Sequence, residues 1–325
     1  MTANHDGRPD SDATAAGLRQ RRPSVSETIL TTAKQVEAKV EQALIVLWDD
    51  LPTWRRDNHF IKRGYRVDSN SYWKSFVSLF YIHNESVNIW SHLLGALAFP
   101  IVGVWLYNIV APRYGSANSS DVLVFGCFFG GAVLCLGMSG MYHTIMNHSP
   151  EVAKWGNKLD YSGIVFLIEG SFVPAMYYGL FCHETLMTVY LYMIMLLGAG
   201  CGVVSWVERF RTPEWRPYRA MMFVGLGVSG IIPVCHALTI YGYQDLDERM
   251  GLNWVLLQGF LYILGAVIYA VRWPERSFPE TFDIWGSSHQ LFHILILFAA
   301  ASHLVGMAKA FDYHHNGMGS QCQRC

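Results

Sequence analysis

Seven apolar runs, each long enough to cross a bilayer, constrain this chain more than any other feature. They occupy residues 87–110, 121–145, 160–181, 186–207, 219–241, 252–272 and 287–311. A helix needs about 20 apolar residues to cross the hydrocarbon layer, and lipid offers no partner to an exposed backbone N–H or C=O. Gly, Ala and Ser are frequent within the runs, which lets helices approach closely in lipid. Trp90, Tyr107, Trp206, Tyr241, Trp254 and Trp273 stand at the edges, where amphipathic rings meet headgroups. The expectation is an all-α membrane protein, a seven-transmembrane helical bundle with short loops and no separate soluble domain.

Composition agrees: 52% of the residues are hydrophobic and only 15% charged. The net charge of −1 gives a nucleic-acid partner no electrostatic support. No N-terminal signal peptide is visible, and the polar residues 1–26 read as a disordered cytoplasmic tail. Residues 27–86 read as an amphipathic helix followed by a turn-rich pre-membrane segment. Ile29, Ala33, Val36, Val40, Ala43 and Leu47 recur there at helical spacing, as in a helix that lies on a membrane surface or under a bundle. The spans fill 87–311, and 312–325 form a tail. Cys127, Cys135, Cys201 and Cys235 lie in apolar runs as packing residues. No disulfide framework is expected, and Cys322 and Cys325 belong to a tail expected to be unstructured.

Lys and Arg placement sets the expected orientation. The segment before the first span carries 12 of them. The loops after spans two, four and six carry 8, against 2 in the loops on the other side. Positive residues stay in the cytoplasm, so the N-terminus is expected there and the C-terminus outside or in a lumen.

Ionisable groups within spans are costly and mark function. With this topology, three stretches deliver such groups to one depth near the cytoplasmic side. "SGMYHT" ends the second span with His143, "KLDYSG" begins the third with Asp160, and "SSHQLFHI" begins the seventh with His289 and His293. An i, i+4 histidine pair lies on one helix face, as in helical zinc sites. With His143 it makes three ligands for Zn2+, leaving a position open for water as in catalytic sites. Asp160 would hold that water or accept its proton. Ser139, one turn before His143, would bond the water or a substrate oxygen. The bland reading, histidines that merely glue helix ends, weakens because burying four such groups without a shared partner is expensive.

These motifs resemble those of the adiponectin receptor and progestin receptor family, also called haemolysin-III-related, and most of all its adiponectin-receptor branch, in a fungal-type form. The resemblance spans about residues 48–311. It rests on "FYIHNESVNIWSHLLG", with Glu85, Asn88 and His92, on "SGMYHT", "LDYSGI", "GSFVP" and "SSHQLFHI", and on "WDDLPTWRRDNHFIKRGYR" before them. It implies seven helices with a cytoplasmic N-terminus, and zinc on His143, His289 and His293. It also implies an aspartate, here Asp160, facing a zinc-bound water. The family is similar to alkaline ceramidases, and its fungal members are linked to zinc and lipid homeostasis.

Three functions suit these residues to different degrees. The first is a zinc-dependent amidohydrolase in the plasma membrane or endoplasmic reticulum. It would draw a ceramide-like substrate from the membrane lipids and release a fatty-acid product. The alternative is a signalling receptor with a structural zinc and an extracellular protein ligand. A zinc transporter fits less well, because transport sites lie near the midplane. Glu169, the one acid deep in a span, lies nine residues after Asp160 on roughly the opposite helix face and receives no catalytic role. His236 and His303 read as packing groups, and Glu85, Asn88 and His92 as a polar network at the helix ends with a supporting role. His314, His315, Cys322 and Cys325 offer a weaker metal reading at the other end.

Overall fold

A computed structural model describes residues 32, 44–211, 215–316 and 322. The chain divides into Met1–Leu44 and Ile45–Cys325. The amphipathic helix expected before the bundle lies outside the described residues, apart from Thr32 and Leu44, which are helical. Its expected last turn is not helix. Ile45–Val46 forms strand β1, paired antiparallel with β2, Tyr65–Arg66. β-branched Ile45 and Val46 favour extended backbone, and pairing with β2 fixes it. Leu47 then lies exposed at the start of a 3-10 turn, Trp48–Asp50.

After β2, helix α1 covers Tyr72–Val77, with the Ser71 hydroxyl accepting from the Lys74 N–H as its N-cap. Seven helical spans follow. α2 covers Ser86–Trp105 and continues as a π turn through Val110 and a 3-10 turn through Arg113, where Pro112 cannot extend an α-helix. α3 covers Ser119–Ile145 and starts with a capping box between Asn118 and Asp121. α4 covers Pro150–Gly179, with Ser149 as N-cap and proline at its first position. α5 covers Glu184–Trp206.

The fifth span is broken. α6, Arg216–Val228, and α7, Ile231–Met250, meet at Ser229–Gly230. The reason is local: Gly225, Gly227 and Gly230 weaken the helix, and Pro233 cannot donate to the Ser229 carbonyl. Gly242, at φ +72°, bends α7 a second time. The left-handed Gly251 turns the chain into α8, Leu252–Val271. α9, Ser288–Asn316, is the last span and carries the helix beyond residue 311.

The spans alternate in direction. The end that carries the pre-membrane segment, the proximal end, therefore holds the start of α2, the end of α3, and the starts of α4 and α9. The largest core cluster joins four of these helices through Phe99, Phe128, Ala132, Cys135, Leu136, Leu167, Ala300 and Met307. α3 and α4 touch through backbone. A Cβ at Gly170 would sit 2.6 Å from the Cys127 carbonyl oxygen, and one at Gly131 would collide with that of Phe166. Elsewhere the helices show large apolar side chains outward, among them Leu97, Ile101, Leu196, Ile231 and Phe260, as a lipid-facing surface must.

At the distal end the tail departs from expectation. Cys322 is bonded to Cys182, in the turn between α4 and α5. That pairing lies 140 residues apart in sequence, and no local spacing announces it.

Candidate metal centre

α3, two residues from its C-terminus, and α9, in its first two turns, bring His143, His289 and His293 together. Their rings surround one point, with centroids 4.8 Å apart for His143–His293 and His289–His293 and 5.0 Å for His143–His289. One nitrogen from each lies within 4.8 Å of the others. A single ion with bonds of about 2.0–2.1 Å would close that gap through small side-chain rotations. Among the described residues this is the one group of three or more His, Cys, Asp or Glu so arranged.

The orientation of the rings fits a metal. His143 is 1% exposed, and its Nδ1 donates to Glu85 Oε2 at 2.8 Å. Its Nε2 is buried with no hydrogen-bond partner among the described residues. A nitrogen left that way in the interior is costly, and a cation on its lone pair removes the cost. His293, 2% exposed, has Nδ1 3.2 Å from the Asn88 carbonyl oxygen. Carboxylate and carbonyl acceptors behind ligand imidazoles fix the tautomer and raise the basicity of the inner nitrogen.

The polar face of Glu85, Asn88 and His92 thus backs the ligands. Glu85 also accepts from Asn88 Nδ2 at 2.6 Å. The His92 ring stacks on His293 at 3.8 Å and 20°, with Nε2 3.3 Å from the His293 carbonyl oxygen. His289 is half-buried and packs against Tyr269, with centroids 4.9 Å apart. Gln290, 1% exposed, ties this turn of α9 to the carbonyls of Asn84 and Ile284 at 2.9 and 2.7 Å.

Ser139 is buried on α3 and faces the Asp160 carboxyl of α4, which lies close enough to His143 for the two to interact. Asp160 is not among the three residues that could share one ion.

The other ionisable groups stay apart. His236 Nδ1 is 2.7 Å from the Tyr190 hydroxyl, and His303 packs on Phe128. Glu169 rests against α5, where a Cβ at Gly198 would collide with its carboxyl. At the distal end, His315 is 2.8 Å from Ser116 Oγ and 3.1 Å from Asp121, and His314 is 3.0 Å from the Tyr178 carbonyl oxygen. The disulfide takes Cys322 out of any metal set there, and Cys325 is outside the described residues.

Two charged residues near the histidines were not anticipated. Arg66 and Glu275 are both fully buried. Burial pulls the Arg66 pKa down to about 10, partly offset by Glu85, so it remains charged at neutral pH. Arg66 lies in the two-residue strand β2 and Glu275 in a turn; charged side chains are ordinarily exposed in such short connecting stretches, and no periodicity singles them out.

Comparison with known proteins agrees with this architecture. Residues 80–304 match the haemolysin-III-related family. The protein named ADIPOR-like receptor IZH2 of Saccharomyces cerevisiae is 41% identical over 295 residues, 91% of this chain and 93% of that one. The adiponectin receptor protein of Drosophila melanogaster is 44% identical over 295 residues, 89% of this chain and 65% of that one. Heptahelical transmembrane protein 1 of Arabidopsis thaliana is 32% identical over 273 residues, 81% of this chain and 80% of that one. With seven helices among the described residues long and apolar enough to cross a membrane and a family match that takes in His143, His289 and His293, the chain belongs to the haemolysin-III-related family as an adiponectin-receptor-like membrane protein.

Proposed function

We propose that this protein is a zinc-dependent hydrolase that cleaves the amide of ceramide-like lipids to a sphingoid base and a fatty acid. The observation that carries the reading is that one nitrogen each from His143, His289 and His293 lies within 4.8 Å of the others, with the Nε2 of His143 buried and without a hydrogen-bond partner among the described residues. Three imidazoles suit zinc among the borderline metals, and three protein ligands are the number found in catalytic zinc sites. Zinc there would supply Lewis acidity to the amide carbonyl and make water a nucleophile near neutral pH. Asp160 takes the proton from water as its oxygen bonds to the carbonyl carbon, and returns it to the amine as the C–N bond breaks. Ser139 holds the Asp160 carboxyl, and Glu85 and the Asn88 carbonyl hold the rings. The site's place at one end of the bundle suits a lipid with its amide at headgroup depth and its chains among the helices.

The test is fatty-acid release from ceramide by purified protein in lipid particles. Asp160→Asn is expected to lower the rate by about 100-fold or more, as loss of a general base does, with zinc still bound. An unchanged rate overturns the role of Asp160.

A receptor with a structural zinc is the second reading, favoured by the receptor names of the relatives. A protein ligand would then bind at the distal face. Zinc-dependent folding with no hydrolysis by wild type would favour it.

The N-terminus is assigned to the cytoplasm, and the bundle to the plasma membrane or endoplasmic reticulum. The Lys and Arg bias supports this orientation. So does the distal Cys182–Cys322 bond, since disulfides persist on the oxidising side of a membrane. Tags at the two termini should be reached from opposite sides in selectively permeabilised cells. A C-terminal tag reached from the cytosol reverses the assignment.

A further inference from the structure

The two helices that supply the histidines both present unfinished ends at the proximal side. α3 stops at Ile145, two residues after His143, so its last carbonyls lack helical partners. α9 starts at Ser288, one residue before His289, so its first N–H groups lack them too. Each end is met by a buried charge of the sign that its helix dipole favours.

At α3 the charge is the guanidinium of Arg66. Nη2 donates to the His143 carbonyl oxygen at 2.6 Å, and Nη1 to that of Thr144 at 2.8 Å. Nη1 also donates to Ser78 Oγ at 2.8 Å. At α9 the charge is the Glu275 carboxylate. Oε2 accepts the Ser288 N–H at 2.7 Å, and Oε1 accepts the Ser288 hydroxyl. Oε1 also accepts Asn58 Nδ2 at 2.9 Å. Asn58 and Arg66 lie on one short stretch ahead of the bundle. Between them the Lys62 N–H donates to Asp283 Oδ1 at 3.1 Å, which fastens the stretch to the loop before α9.

Fully buried charges are a poor way to gain stability alone, since packed apolar residues often do as well. These two have a geometric effect that an apolar side chain lacks. Arg66 grips the backbone of a ligand residue itself, and Glu275 fixes the residue next to another. We propose that Arg66 and Glu275 are positioning residues for the metal centre, and that residues 58–66 form a strap, outside the spans, that sets metal affinity by holding the ends of α3 and α9 in register. The inference rests on the three-histidine metal reading. It means that a force or partner acting on the pre-membrane segment reaches the metal without touching a ligand.

The experiment uses full-length protein and zinc alone. Zinc affinity is measured by chelator competition, and ligand geometry by the visible absorption of the cobalt-substituted protein. Melting of the metal-stripped protein is followed separately. Arg66→Met and Glu275→Ala are expected to weaken zinc binding by about 10- to 100-fold, the usual effect of losing a group that orients a ligand, and to alter the cobalt spectrum. Arg66→Lys, which keeps the charge but replaces the guanidinium fork by a single nitrogen, should recover only part of the affinity. Asn58→Ala removes the hydrogen bond to Glu275 and the one that Asn58 Oδ1 accepts from the Phe60 N–H within the strap; it should weaken zinc by a few-fold, which keeps the test open if the buried variants do not fold. Lower melting with unchanged zinc affinity and cobalt spectrum in these variants overturns the strap. A wild-type protein that binds no zinc overturns the metal reading beneath it.

Discussion

The His143 ring has two nitrogens and two unlike neighbourhoods. One nitrogen donates to Glu85, and the other is buried without a hydrogen-bond partner among the described residues. That asymmetry decides what the residue can do, because a committed Nδ1–H leaves the Nε2 lone pair for a cation. Glu85→Gln keeps the size of the side chain but removes the negative charge that makes the ring more basic. Zinc affinity is expected to fall about 10- to 100-fold, or about 1.4–2.7 kcal/mol, read by chelator titration. Equal affinity would mean that Glu85 serves only the helix end. Much of this site was legible in the chain. The i, i+4 spacing of His289 and His293 places them on one face, and alternating spans bring His143 and Asp160 to the same depth. Glu85, Asn88 and His92 were legible as a face, but the acceptor roles of the Glu85 carboxylate and the Asn88 carbonyl depend on rings 58 and 205 residues away. Arg66 and Glu275 were not legible, since nothing in a turn-rich segment shows that a charge folds inward.

At the scale of elements, α3 and α4 are held by the absence of side chains. Gly130 and Gly131 are adjacent yet opposite in consequence. A Cβ at Gly130 meets open space, whereas one at Gly131 runs into the Phe166 carbonyl. Gly130→Ala should be neutral or stabilising by up to about 1 kcal/mol, because alanine favours the helix. Gly131→Ala should destabilise by about 1–3 kcal/mol, because the helices must part. Thermal unfolding of the two variants side by side decides it, and equal melting would contradict the backbone contact. Their surroundings explain how far the sequence could be read. Apolar runs about 20 residues long announce helices reliably in lipid, where no other spanning backbone is open to them. The break at Ser229–Gly230 needed the glycines and Pro233 to be weighed together. The β1–β2 pairing was hidden because the helical apolar spacing that starts at Ile29 runs on through Ala43 to Leu47, across Ile45 and Val46.

On the scale of the whole molecule, charge and hydrogen bonds tie both ends of the bundle, around the histidines proximally and through pairs such as Lys309–Asp247 distally, and the distal end adds a covalent link from Cys182 to Cys322. The seven-span plan followed from hydropathy, whereas the link could not, because cysteines 140 residues apart carry no mark of their pairing. That bond changes the connectivity of the molecule. Residues 182–322 close into a ring containing α5 to α9, and residues 1–181 hang from it as a linear arm. His289 and His293 belong to the ring and His143 to the arm, so an ion shared by the three ties one to the other. A proteolytic machine drawing the chain from its N-terminus would take the arm as a single strand. At Cys182 it would meet a doubled strand, and it could go no further without reducing the bond or admitting both strands together.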